Sequence, residues 1–70
     1  MNSELIQALE HHLACGSRLV WWHEGTAFEI VEIEETETEM VGRFRYGKHV
    51  DLWNVSPGDL FVFTSAFSGR

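Results

Sequence analysis

The stretch TAFEIVEIEE, residues Thr26–Glu35, limits most sharply what this chain can become. Its apolar residues are Phe28 and Ile30, then Val31 and Ile33. Alternate side chains of a strand point to opposite faces, so Phe28 and Ile30 share one face and Val31 and Ile33 the other. The phase changes between Ile30 and Val31. One inserted residue produces such a change as a β-bulge, and so does a strand that bends from one sheet into another. Small β-barrels use a bent strand of this kind, because one strand serves both halves of the wall. The same stretch opens a run of acids: Glu29, Glu32, Glu34, Glu35, Glu37 and Glu39.

Seventy residues are enough for a single domain, 1–70. A chain of this size buries only about 60 % of its unfolded surface, so its core is marginal. Three Trp, five Phe and one Tyr offer large apolar surfaces to compensate. Association with a second copy or a partner is the other remedy. The single Cys15 excludes an internal disulfide and fits a reducing compartment. No apolar run is long enough to span a bilayer and no basic-then-apolar leader pattern is seen, so a cytoplasmic protein is expected. Five Lys and Arg face eleven Asp and Glu, a net charge of −6. Unaided binding to a phosphate backbone is disfavoured by that balance, and a basic protein partner is favoured.

Residues 2–15, NSELIQALEHHLAC, read as a helix. Asn2 or Ser3 caps it, Glu4 meets the positive end of its dipole, and Leu5, Leu9 and Leu13 form an apolar stripe with Ile6 beside it. Gly16 is the expected left-handed stop. Under four turns long, the helix is marginal alone, so its stripe must dock, most naturally over an open end of a barrel. Residues 18–24, RLVWWHE, form a first strand, with Leu19, Trp21 and His23 on one face and Val20 and Trp22 on the other. A turn at Gly25 leads into the bent second strand. Residues 38–46, TEMVGRFRY, make a third strand, with Met40, Phe44 and Tyr46 on one face and Val41, Arg43 and Arg45 on the other. Gly42 there permits close approach of a neighbour. Residues 49–55 give a fourth strand with a change of phase, Ser56-Pro57-Gly58-Asp59 a turn, and residues 60–64, LFVFT, a fifth strand. The tail 65–70 is expected to fray, with Phe67 available to pack.

A helix followed by five short strands, the second bent, predicts a mainly β fold: a five-stranded, strongly bent antiparallel small barrel of Sm-like or SH3-like type with an N-terminal α-helix. The helix spans about 3–15 and the barrel about 18–64. The order of parts resembles two related families over roughly residues 4–63. One is the Sm-like family, which includes the bacterial RNA chaperone Hfq. The other is the Rof family of Rho-binding antiterminators. LEHHLACGSRLVWWHEGT is similar to the helix, link, strand and glycine turn that open both, and HVDLWNV to the Asp-bearing apolar strand late in Rof proteins. Tyr46, Lys48 and His49 are similar to the Tyr-Lys-His run of Hfq, with Gly47 inserted after Tyr46. The Arg-Gly pair of archaeal and eukaryotic Sm proteins is missing at the corresponding turn. The resemblance to Rof implies a nucleic-acid-binding protein such as Rho as partner. The resemblance to Hfq implies an RNA-binding ring.

Among residue constellations, His11 and Cys15 stand four apart on one helix face, but no second ligand pair exists at zinc-site spacing. No metal is expected. Trp21 and Trp22 put one indole on each face of the first strand, and Trp22 is the candidate aromatic anchor for a partner. Arg43, Arg45 and Lys48 hold three of the five basic residues. They read either as cross-strand partners of the glutamates or as a phosphate patch beside Tyr46 or Trp53. Glu24 beside His23 and Asp51 near His49 are only sequence neighbours. No nucleophile with an assigned base and no Gly-rich phosphate loop is found, so no enzyme and no cofactor is expected.

The expectation is a non-enzymatic, acidic binding module in transcription or RNA metabolism. Glu29, Glu32, Glu34, Glu35, Glu37 and Glu39 would face a basic partner, with Trp22 as anchor. One alternative is a homo-oligomeric Sm-like ring that contacts RNA through Arg43, Arg45, Tyr46, Lys48 and His49. Another is a phage-type inhibitor whose carboxylates imitate phosphates.

Overall fold

The computed structural model describes residues 1–64; the expected frayed tail, with Phe67, lies outside the described residues. Helix α1 runs Ser3–Ala14. The Asn2 side-chain oxygen accepts from the Leu5 amide at 2.9 Å, which satisfies one of the free donors at the helix start. Gly16 ends the helix at φ 86°. The docked stripe is Ile6, Leu9 and Leu13, whereas Leu5 is exposed. The leucine spacing placed Leu5 at the head of the stripe. With Leu9 and Leu13 still docked, the buried face instead leans to the side of Ile6 and leaves Leu5 at its rim.

Five strands follow: β1 Arg18–His23, β2 Thr26–Glu35, β3 Met40–Phe44, β4 His49–Asp51 and β5 Leu60–Phe63. They form one antiparallel sheet in the order β4-β3-β2-β1-β5. Glu24 and Gly25 both take positive φ, 50° and 78°, giving β1 and β2 the two-residue hairpin whose twist matches the strands. The register with β3 shifts between Ile30 and Glu32, so Val31 is the extra residue of a bulge. The bulge falls where the phase of the sequence changes. It also corrects the face assignment: Ile33 returns to the core side with Ile30, and Val31 alone turns outward.

The sheet is not closed. A barrel wall would need β4 and β5 to pair, and they do not. The expected fourth strand stops after Asp51 and coils into a 3-10 turn, Leu52–Asn54. The Asp51 carboxylate accepts from the Trp53 amide at 3.0 Å and from Asn54 Nδ2 at 3.1 Å, which pulls the backbone out of line. The turn drops Leu52 and Val55 into the core on one side, and a second 3-10 turn, Pro57–Asp59, leads into β5. The third strand is likewise shorter than expected and ends at Phe44, before Tyr46.

Helix α1 packs on β1 and β2, closing a small core of Ile6, Leu9, Leu19, Ile30, Met40, Leu52 and Val55. The fully buried side chains are aliphatic: Ile6, Leu19, Ile30 and Leu52. The aromatics flank this centre. Trp21 stacks on His23 with ring centroids 4.6 Å apart and on Phe44 at 5.9 Å, and Phe28 stacks on Phe44 at 5.0 Å.

Candidate interaction surface

The side of the sheet away from α1 divides into two halves. Over β2, β3 and β4 it is charged and self-paired. Arg45 sends Nε to Glu29 Oε1 and Nη2 to Glu29 Oε2, each at 3.0 Å, a forked pair. Arg43 donates Nε to Glu34 Oε1 at 2.9 Å, its Nη2 bonds the same oxygen, and Glu32 lies 3.8 Å away. Cross-strand pairing of the arginines with β2 is therefore what the fold contains, and it occupies Glu29, Glu32 and Glu34 of the glutamates expected to face a partner. Glu35, Glu37 and Glu39 remain exposed at the β2–β3 turn, where Thr36 Oγ1 accepts from the Glu39 amide at 3.0 Å.

The hydrogen bond from Arg45 holds the Glu29 carboxyl below the usual glutamate range. A group whose folded pKa is depressed contributes stability that is whole above its unfolded pKa and is lost as pH falls through the folded value. Urea unfolding measured at successively lower pH should thus show a loss below the ordinary carboxylate range. Glu29→Gln should flatten that part of the profile; an unchanged profile would exclude the pair as its source.

Over β1 and β5 the same face is mostly apolar, with Arg18 at one end. The register sets Val20 opposite Phe61, Trp22 opposite Ala27, and Arg18 opposite Phe63. Ala27 is too small to cover an indole, so Trp22 remains 46 % exposed; Phe61 is 44 % and Phe63 56 % exposed. Sequence reasoning identifies Trp22 but misses Phe61 and Phe63. Their signal is nonetheless present: in LFVF, Leu60 and Val62 face the core, so Phe61 and Phe63 must face away.

The five candidate RNA-binding residues fall in two places. Arg43 and His49 are opposed across β3 and β4. Arg45, Tyr46 and Lys48 line a cleft of about 310 Å³ walled by Phe28 and Phe44. Tyr46 is almost fully exposed, and Lys48 has no ion-pair partner among the described residues. Trp53 is not part of the cleft; its carbonyl accepts from the Met1 ammonium at 2.8 Å. On the helix, Cys15 Sγ lies 3.6 Å from His11 Nε2, and no group of three metal-ligating side chains occurs among the described residues. His23 and Glu24 approach to 3.7 Å, both largely exposed. No helix among the described residues is long and apolar enough to cross a membrane.

No protein-family model, curated protein or solved structure matches this chain.

Proposed function

We propose that this chain is a non-enzymatic protein-binding module whose contact surface is the outer face of β1 and β5, centred on Trp22. The observation that carries it is the exposure of Trp22, Phe61 and Phe63 on one face, with Phe61 paired to Val20 between the other two. Aromatic side chains in such a position are typical binding anchors, and Trp is the most enriched of them. The partner is a basic protein, steered by the net charge of −6 and by the free glutamates Glu35, Glu37 and Glu39. The likeness of the opening helix and strand to Rof proteins makes a factor that handles RNA during transcription one instance of such a partner.

Affinity capture from a bacterial lysate tests this by comparison. The wild-type chain should retain a protein that survives nuclease treatment and is lost with Trp22→Ala. Identical capture by both, or none by the wild type, would sink a Trp22-centred surface. RNA binding is the second reading, favoured by the cleft of Arg45, Tyr46 and Lys48. It predicts a nuclease-sensitive complex, and binding to an oligouridine or oligoadenine probe that fades steeply with salt and with Lys48→Glu.

A further inference from the structure

We infer that the cleft between β2 and the β3–β4 turn binds the carboxyl end of a peptide chain whose last residue is aromatic. The inference goes beyond the Trp22 surface and does not rest on it.

The cleft opens where β3 leaves β2. Strand β2 pairs with β1 from Thr26 to Ile30, but with β3 only from Ile30 onward. The last bond between β2 and β3 runs from the Arg45 amide to the Glu29 carbonyl at 3.1 Å. The chain then turns at Gly47, φ 78°, and the Lys48 carbonyl accepts from the Phe44 amide at 2.8 Å. Thr26, Ala27 and Phe28 thus have a strand on one side only. Along a strand, the N–H and C=O of every second residue point to the same neighbour. The Glu29 carbonyl points toward β3, so the N–H and C=O of Ala27 point to the open side, where neither has a backbone partner among the described residues.

Three features of the cleft match three parts of one ligand. The free groups of Ala27 suit an extended peptide, which adds to a sheet edge through its backbone. The floor is aromatic: Phe28 and Phe44 stack with centroids 5.0 Å apart. Tyr46, 85 % exposed, stands at the rim, where it can cover a ring laid on that floor. The charge is that of one cation. Glu29 and Arg45 also line the cleft but neutralise each other through their forked pair, whereas Lys48 has no ion-pair partner among the described residues. One free ammonium matches one carboxylate. Lys48 sits beside Phe44, so the carboxylate lies toward Glu29 and the peptide runs parallel to β2, entering from the β1–β2 hairpin. In that direction Ala27 C=O accepts from the N–H of the last residue, and Ala27 N–H donates to the C=O two residues earlier.

Size and charge narrow the occupant. A cleft of about 310 Å³ is small for a ligand site, which suits one large terminal residue. A nucleic-acid strand gains its affinity by having several phosphates neutralised, and here one free cation lines a cleft on a chain of net charge −6. A single carboxylate asks for one cation. A basic protein ends in a carboxylate as any chain does, so the partner proposed above can present it.

Titration of the nitrogen-15-labelled full chain with the peptide acetyl-Ala-Ala-Ala-Phe, followed by amide resonances, tests this. The peptide should shift the amides of Ala27, Phe28, Tyr46 and Lys48 and slow solvent exchange at Ala27. The same peptide with an amidated carboxyl end should bind about fivefold more weakly, the upper worth of one exposed ion pair. Lys48→Met, an exposed position, should bind the acid and the amide equally. N-acetylphenylalanine keeps the ring and carboxylate but supplies only one of the two bonds to Ala27, so it should bind more weakly than the peptide. No shift of these amides, equal affinity of the wild-type chain for acid and amide, equal affinity for N-acetylphenylalanine and the peptide, or an oligouridine probe that shifts these amides when the peptide does not, overturns the inference.

Discussion

Ile6→Ala should leave the chain largely unfolded at room temperature. Ile6 is completely buried and is the point at which α1 enters the core against Leu19, Ile30 and Leu52. Truncating a buried Ile costs about 2–5 kcal/mol, from lost transfer energy and the cavity left behind. A single core in a chain of this length supplies about 3–5 kcal/mol in all. The loss is thus comparable to the whole stability. A twelve-residue helix has little helicity of its own, so once undocked it should melt. Far-ultraviolet circular dichroism should show the helical signal gone, and urea unfolding should lose its native baseline. Leu5→Ala, one residue earlier but on the exposed side, should shift stability by no more than about 0.5 kcal/mol. Equal effects of the two changes would contradict the placing of Ile6 inside and Leu5 at the rim.

The second large effect is expected at Gly42, where two considerations oppose each other. Gly42 lies mid-strand in β3, opposite Ile33 and Val50. Strand propensity alone favours valine over glycine by up to about 1 kcal/mol, and restricting the unfolded chain adds about 0.4–1 kcal/mol. Packing says otherwise. A Cβ at this position would lie 3.1 Å from Leu52 Cδ2 and 3.4 Å from Ile30 Cδ1. Both neighbours are fully enclosed and cannot yield, and overpacking costs about 1–3 kcal/mol. Two further carbons bring valine to the upper end of that range. Gly42→Val should therefore be destabilising by about 2 kcal/mol, seen as a lower urea midpoint. Measured on a Leu52→Val background, Gly42→Val should cost less than it does in the wild-type chain, because the shortened side chain vacates part of the volume the valine needs. A stabilised Gly42→Val would show that propensity, not packing, governs the position.

Much of this architecture can be read from short-range signals. The helix and its Asn2 cap, the glycine stop, all five strand positions and the bulge at Val31 each depend on a few consecutive residues. The alternation of Val41, Arg43 and Arg45 beside the acids of β2 likewise points to arginine–glutamate pairs, and the strands hold them. The interaction surface is half visible. Trp22 stands out by residue type, whereas Phe61 and Phe63 require knowing that the opposite face of β5 is already filled by Leu60 and Val62 meeting the core.

Where the chain extends, where it coils and where the ribbon is offset are thus local matters, because backbone propensity and side-chain period act between near neighbours. Three features instead belong to the assembled fold: the ribbon stays open, Ile6 rather than Leu5 points inward, and aliphatic residues, not aromatics, occupy the centre. Burial of apolar surface has no direction of its own. Periodicity announces that a side chain will be covered, and only the packing of distant segments settles what covers it. The missing closure has the same origin: the Asp51 carboxylate turns back on its own backbone and Leu52 finds space beneath Gly42, so the fourth strand ends before it reaches the fifth.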